Sequence, residues 1–213
     1  MSPFARIVTD LLKGGFICQV TDYEGYQFLS SPQASGSRTN QDDVDDYLRR
    51  INIRLTQTRS GSAFFAAASE IDSEGKKIAR RRFGELKNSL RPMVSFLEMV
   101  MRLEGDDDAV SPGQKLDLNR TMAKIAANAG IGEQLRQIAS DTNISTRDGS
   151  DRERLNKIVK RFRDDGYLQL VNPESEIYVF TGRIEWLMEA IEYLMLHDQI
   201  SDDDKEFDKR TAS

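Results

Sequence analysis

The sequence has almost none of the residues from which disulfide scaffolds, metal sites and nucleophilic enzymes are built. Its 213 residues include one cysteine, Cys18, and one histidine, His197. A lone cysteine cannot close an intrachain disulfide, which points to a reducing compartment. With one residue of each kind, neither a zinc shell nor a histidine-rich metal site assembles. A Cys–His pair would have to join a strand-like stretch, Ile17-Cys18-Gln19, to the far end of the chain, and neither residue has a supporting motif. Long apolar runs are also missing. The longest, Met93 to Met101, is broken by Ser95 and Glu98 and falls far short of a membrane span. No basic segment followed by an apolar core and cleavage site opens the chain, so no signal peptide is expected. No glycine-rich loop leads into Lys-Ser/Thr, and no dinucleotide fingerprint follows a strand. These absences predict a soluble cytoplasmic protein that is not an enzyme and has no catalytic, cofactor-binding or metal-binding residues.

What is present is charge, in uneven amounts. The net charge is −5, from 30 Lys+Arg against 35 Asp+Glu. Residues 104–114 carry −4 and residues 198–213 carry −3, so the rest of the chain sums to +2. Runs such as Asp106-Asp107-Asp108 and Asp202-Asp203-Asp204 read as solvated linker and tail, with an electrostatic contact to a basic partner as the alternative. Asp42, Asp43, Asp45 and Asp46 complement a helix dipole, and Asp42 with Asp46 could otherwise share a Mg²⁺ ion.

Periodicity organises the chain into two modules of similar order. Residues 4–13 read as a helix with Ile7, Leu11 and Leu12 on one side, stopped by Gly14-Gly15. Phe16 to Val20 reads as a strand, and 23–30 as a helix. Asn40 or Asp42 is placed to cap the next helix, whose stripe is Val44, Tyr47, Leu48, Ile51 and Leu55. Leu55–Arg59 and Ala63–Ala68 across Ser60-Gly61 predict a hairpin. The second half has helical patterns over 116–129 and 133–140, broken around Gly130 and Gly132. A helix over 151–165 follows, with Leu155, Ile158, Val159 and Phe162 as its stripe and Gly166 to end it. Tyr167–Val171 and Ile177–Phe180 form a second hairpin. Helices, one amphipathic helix and a hairpin, occurring twice, predict a mainly α chain with small β-hairpins (α+β): tandem winged helix-turn-helix domains joined by a long helical connector. The expected division is 1–70 and 115–182 for the winged-helix domains and 71–114 for the connector and acidic linker. Residues 183–197 are a C-terminal helix and 198–213 a disordered acidic tail.

Two surfaces stand out. Ala79, Phe83, Leu86, Leu90, Met93, Leu97 and Val100 recur at alternating spacings of 4 and 3, a heptad-like seam kinked or divided at Pro92. The last helix carries Ile184, Leu187, Met188 and Ile191, flanked by Trp186 and Tyr193. Both stripes serve either an intramolecular core or a dimer or partner groove, for which Phe83, Leu86, Leu90, Met93, Leu97, Trp186 and Tyr193 are the candidates. The helix over 151–165 turns Glu153, Arg154, Lys157, Lys160 and Arg161 away from its stripe, four basic groups and one acid, a surface suited to phosphate contact rather than base reading. The corresponding face of the first module holds Asp42, Asp43, Asp46, Arg49, Arg50 and Ile53 and suits protein better than a major groove. Lys76, Lys77, Arg80, Arg81 and Arg82 open the connector as a solvated or contacting face.

Several segments resemble the MukE/MksE subunits of bacterial SMC condensins. They are Leu11-Leu12-Lys13-Gly14-Gly15-Phe16-Ile17-Cys18, Asp22 to Leu29, Val44 to Leu48, Leu55 to Thr58 and Gly61 to Phe65. Lys160-Arg161-Phe162, Asp165 to Leu168 and Tyr178 to Ile184 agree in the second half. The resemblance spans about residues 5–196 and is most specific in the first 70. It implies a kleisin-interacting tandem winged-helix (KITE) subunit: a non-enzymatic homodimer that binds a kleisin (MksF/MukF-like) and, through it, an SMC ATPase (MksB/MukB-like). Such complexes entrap DNA in chromosome organisation, or restrict plasmids in the Mks/Wadjet branch. The implied location is nucleoid-associated, with weak contact to double-stranded DNA and none to membrane. The alternatives are a free-standing winged-helix transcription regulator and, third, a nuclease or other hydrolase.

Overall fold

The computed structural model describes residues 1–31, 38–70, 90, 92–105, 109–142, 144 and 149–210, with side chains through 196. The N-terminal half runs α1 (Pro3–Leu12), β1 (Ile17–Cys18), α2 (Tyr23–Ser30), α3 (Asn40–Arg49), β2 (Ile53–Gln57) and β3 (Ala63–Ala68). The C-terminal half runs α4 (residues 92–104), β4 (Lys115–Asp117), α5 (Leu118–Ala126), α6 (Ala129–Asp141), α7 (Asp151–Asp164), β5 (Leu168–Asn172), β6 (Ile177–Phe180) and α8 (Arg183–Arg210). The protein is mixed α+β. Each half holds an antiparallel three-stranded sheet, ordered β1-β3-β2 in one and β4-β6-β5 in the other.

Local chemistry accounts for most helix boundaries. Ser2 caps α1 by accepting the Ala5 amide, and Pro3 follows where its missing N–H costs nothing. Leu12 was expected on the buried side but is 46% exposed; Val8 is buried in its place, beside Ile7 and Leu11. The reason is angular: Leu12 sits about 100° around the helix from Leu11. The cap of α3 is Thr39 rather than the expected Asn40 or Asp42. Thr39 accepts the Asp42 amide while Asp42 accepts the Thr39 amide, a reciprocal capping box. The stripe of α3 shrinks to Val44 and Leu48, because the helix ends at Arg49 and Asn52, at φ 58°, turns the chain into β2. Ile51, beyond the helix end, is therefore exposed, while Tyr47 meets Phe4 edge-on with ring centroids 5.7 Å apart and stays 44% exposed.

In the C-terminal half the helix break falls earlier than the glycines suggested. Asn128 accepts the Gly130 and Ile131 amides, which starts α6 at Ala129 and puts Gly130 and Gly132 inside it. Residues 115–117, in or next to the predicted helix, form β4 instead. Leu116 pairs with Tyr178, a partner far along the chain that no local pattern announces. α8 does not stop at 197. No glycine or proline follows Gly182, and the helix continues to Arg210, so residues 198–210 are helical rather than a disordered tail.

Two cores result. Ile7, Leu11, Leu29, Val44, Leu48 and Phe64 centre the N-terminal one. The larger C-terminal core gathers α5, α6 and α7 around Phe96, Phe162 and Phe180, and also takes in α4 and the first turns of α8 through Leu97, Met99, Val100, Ile184 and Leu187.

Candidate functional site

The basic side chains of α7 lie where the periodicity placed them, but most are already paired. Ser150 caps the helix by accepting the Glu153 amide, and Leu155, Ile158, Val159 and Phe162 anchor its other face. Arg154 pairs with Asp151 at 2.8 Å, Lys157 with Glu153 at 3.0 Å and Arg161 with Asp165 at 3.9 Å. Lys160 is exposed, with no ion pair among the described residues. The more exposed pairs of Lys157 and Arg161 contribute about 0–1 kcal/mol each, so these two cations can exchange a carboxylate for a phosphate at little cost, whereas Arg154 is mostly buried against Asp151. The β5–β6 turn beside them contains Pro173, Glu174 and Glu176, the last bound to Arg152.

The four aspartates of α3 are committed to the protein. Asp42 completes the cap, Asp45 accepts the Leu55 amide at 2.8 Å and pairs with Arg49, and Asp43 and Asp46 hold Arg38. They stabilise α3 and its junction with β2 rather than converging on one point.

The partner candidates divide three ways. Phe83 and Leu86 lie outside the described residues. Leu90 and Leu97 are buried in the chain's own C-terminal core, and Met93 packs against it, so this part of the seam is intramolecular. On α8, Trp186 is half-buried, whereas Tyr193 is 50% exposed, close to exposed Met195 and Leu196.

A junction that the periodicity did not announce joins the two halves. Phe16 stacks on Phe65, with ring centroids 5.1 Å apart, and meets the edge of Trp186 at 5.8 Å. The Arg183 guanidinium sits 5.0 Å from the Phe16 centroid and 5.2 Å from that of Tyr167, held between the halves by cation–π attraction. Gly182 donates its amide to the buried Cys18 sulfur at 3.3 Å. A Cβ on Gly182 would lie 2.6 Å from the Ala63 Cβ, so only glycine lets the turn between β6 and α8 approach β3 this closely.

Beside this contact, one face of α8 engages the β2–β3 turn. Glu185 accepts the Ser60 amide at 2.8 Å, the Ser60 hydroxyl at 2.7 Å and the Ser62 hydroxyl. Glu189 accepts the Arg59 amide at 2.6 Å, and Glu192 pairs with the Arg59 guanidinium at 3.0 Å. Partial burial pushes the Glu185 carboxyl up, but hydrogen bonds from Ser62, Ser60 and Thr58 outweigh it and hold the group lowered to about 2. Burial pushes the Tyr167 phenol up. The only sequence signals for this junction were Ser60-Gly61-Ser62 and Gly182-Arg183, and neither names its partner.

No described helix is long and apolar enough to cross a membrane. No match is found among curated proteins. A family model described as condensin complex protein MksE matches residues 2–192, a span that includes both sheets, the junction and the basic face of α7. The chain belongs to the MksE family of condensin complex proteins.

Proposed function

We propose that this chain is the KITE subunit of a bacterial SMC condensin, built from tandem winged-helix domains at about 1–70 and 115–182. The observation that carries the reading is the family match over residues 2–192. The repeated strand order, β1-β3-β2 and β4-β6-β5, supports it, since each β-hairpin follows an amphipathic helix in the position of a wing. In this reading the chain is a homodimer that binds a kleisin and reaches an SMC ATPase through it. It contributes to DNA entrapment in chromosome organisation or plasmid restriction, at the nucleoid. Chemistry at ATP belongs to the SMC partner.

Tyr193, Met195 and Leu196 on α8 offer apolar anchors for a protein partner, with Phe83 and Leu86 of the connector as further candidates. Arg154, Lys157, Lys160 and Arg161 contact DNA phosphates, weakly in isolation and more strongly through avidity in the assembled complex.

Co-purification with the kleisin encoded beside an SMC-like ATPase is the direct test. Lys157→Glu/Lys160→Glu/Arg161→Glu is expected to weaken DNA binding of the assembled complex at least tenfold while leaving kleisin co-purification and the thermal transition intact. Unchanged DNA binding removes α7 from the DNA surface. Nanomolar binding of the isolated chain to one duplex sequence, without kleisin association, would instead establish a transcription regulator.

A further inference from the structure

Residues 49–69 hold Arg49, Arg50, Arg54 and Arg59 and not one carboxylate, the most one-sided stretch of the N-terminal half. It runs from the end of α3 through β2 and the hairpin turn to the end of β3. Ile53 and Leu55 pack on the N-terminal core, so Arg54, alternating with them, points from the opposite face, where it is exposed. Arg50 is exposed as well. At the turn, two backbone amides, two serine hydroxyls and a guanidinium converge, the donor types that take up phosphate oxygens. All five are engaged by carboxylate oxygens of Glu185, Glu189 and Glu192, three residues on one face of α8.

We propose that the β2–β3 hairpin is a second site for the backbone of double-stranded DNA, and that α8 closes its tip by seating three glutamates where phosphates would bind. Duplex DNA, with about one charge per 1.7 Å of axis, matches a cationic strip better than a single small anion does. The site is distinct from the α7 face, and the contact is autoinhibitory: DNA reaches Arg59 and the turn amides only when this face of α8 moves away. The rest of the strip, Arg50 and Arg54, stays accessible throughout.

The test is fluorescence polarisation of a labelled 30-base-pair duplex with the full chain at several salt concentrations. Glu185→Gln/Glu189→Gln/Glu192→Gln is expected to tighten binding at least tenfold. Its salt dependence should steepen by about 0.9 in log–log slope for each added phosphate contact. Adding Arg54→Ala/Arg59→Ala should return both quantities to the wild-type level, whereas adding Lys160→Ala/Arg161→Ala on α7 should leave most of the gain. Glu24→Gln/Glu98→Gln/Asp141→Asn removes the same charge from exposed positions elsewhere and should change affinity less than twofold. If the first variant loses its thermal transition, Glu189→Gln/Glu192→Gln keeps Glu185 seated and should show a smaller gain with the same dependence on Arg59. A gain no larger than the control's, or one that survives Arg54→Ala/Arg59→Ala, overturns the proposal and leaves α8 a structural clasp only. Loss of binding in the α7 variant of the assembled complex is a separate result and bears only on α7.

Discussion

The two halves share a strand order and use their hairpins in opposite ways. In the N-terminal half the β2–β3 turn is held by three glutamates of α8, while the adjacent sheet face is covered by Phe16 and Trp186. In the C-terminal half the β5–β6 turn is exposed from Val171 to Ser175, and Glu176 pairs with Arg152 at the start of α7. Their cores differ in the same sense. The C-terminal core takes in α4 and α8 from outside its helix–hairpin unit, whereas the N-terminal one is closed by its own elements. One topology can thus present a basic helix in one copy and a basic hairpin in the other, because surface charge is independent of the buried pattern that defines the fold.

That difference can be broken first through the cores. Phe64→Ala and Phe180→Ala each delete a fully buried ring and should cost about 3–5 kcal/mol. If the junction makes the halves cooperative, both lower the midpoint of one shared urea transition, followed by Trp186 fluorescence and far-UV circular dichroism together. Two separated transitions would show that the halves unfold independently. Gly182→Ala comes next, at about 1–3 kcal/mol, because its new methyl meets Ala63 and the Cys18 Cβ, at 2.8 Å, in a packed contact. It should split the transition and shift Trp186 emission without disturbing either sheet.

The smallest effect sharpens the comparison at the clasp. Glu185 is held at about 2, below its ordinary 4.5. A depressed folded value means that its contribution is present above about pH 4.5 and lost as pH falls toward 2. The Tm difference between the wild type and Glu185→Gln should therefore be widest above pH 5 and close by about pH 2. A difference constant across that range would mean that the carboxylate's charge plays no part in the contact.

Helices with strong stripes were legible to within a residue or two, as α1 and α7 show, because burial of every third or fourth side chain is written into the chain itself. Both hairpins were legible as well, from β-prone runs across short turns. The seam over 90–100 was legible as apolar, with an intramolecular core as one of its two readings, since a stripe specifies that a face is buried and not against what. β4 was missed because three residues that pair with a strand some sixty positions away have no local period. The candidate basic face on α7 was visible from angle alone, and its pairing with Asp151, Glu153 and Asp165 follows from i,i+3 and i,i+4 spacings along the same helix.

By itself, then, the sequence determined the two helix–hairpin repeats, the basic face of α7, the resemblance in its first 70 residues and the uneven placement of charge. The tertiary structure decided which surfaces remain free. It buried Leu90 and Leu97 within the chain, ran α8 on to Arg210, and brought Glu185 to a turn 125 residues earlier. Local periodicity follows from backbone geometry and is readable one segment at a time. Contacts across that many residues depend on how the halves pack, which no single segment encodes.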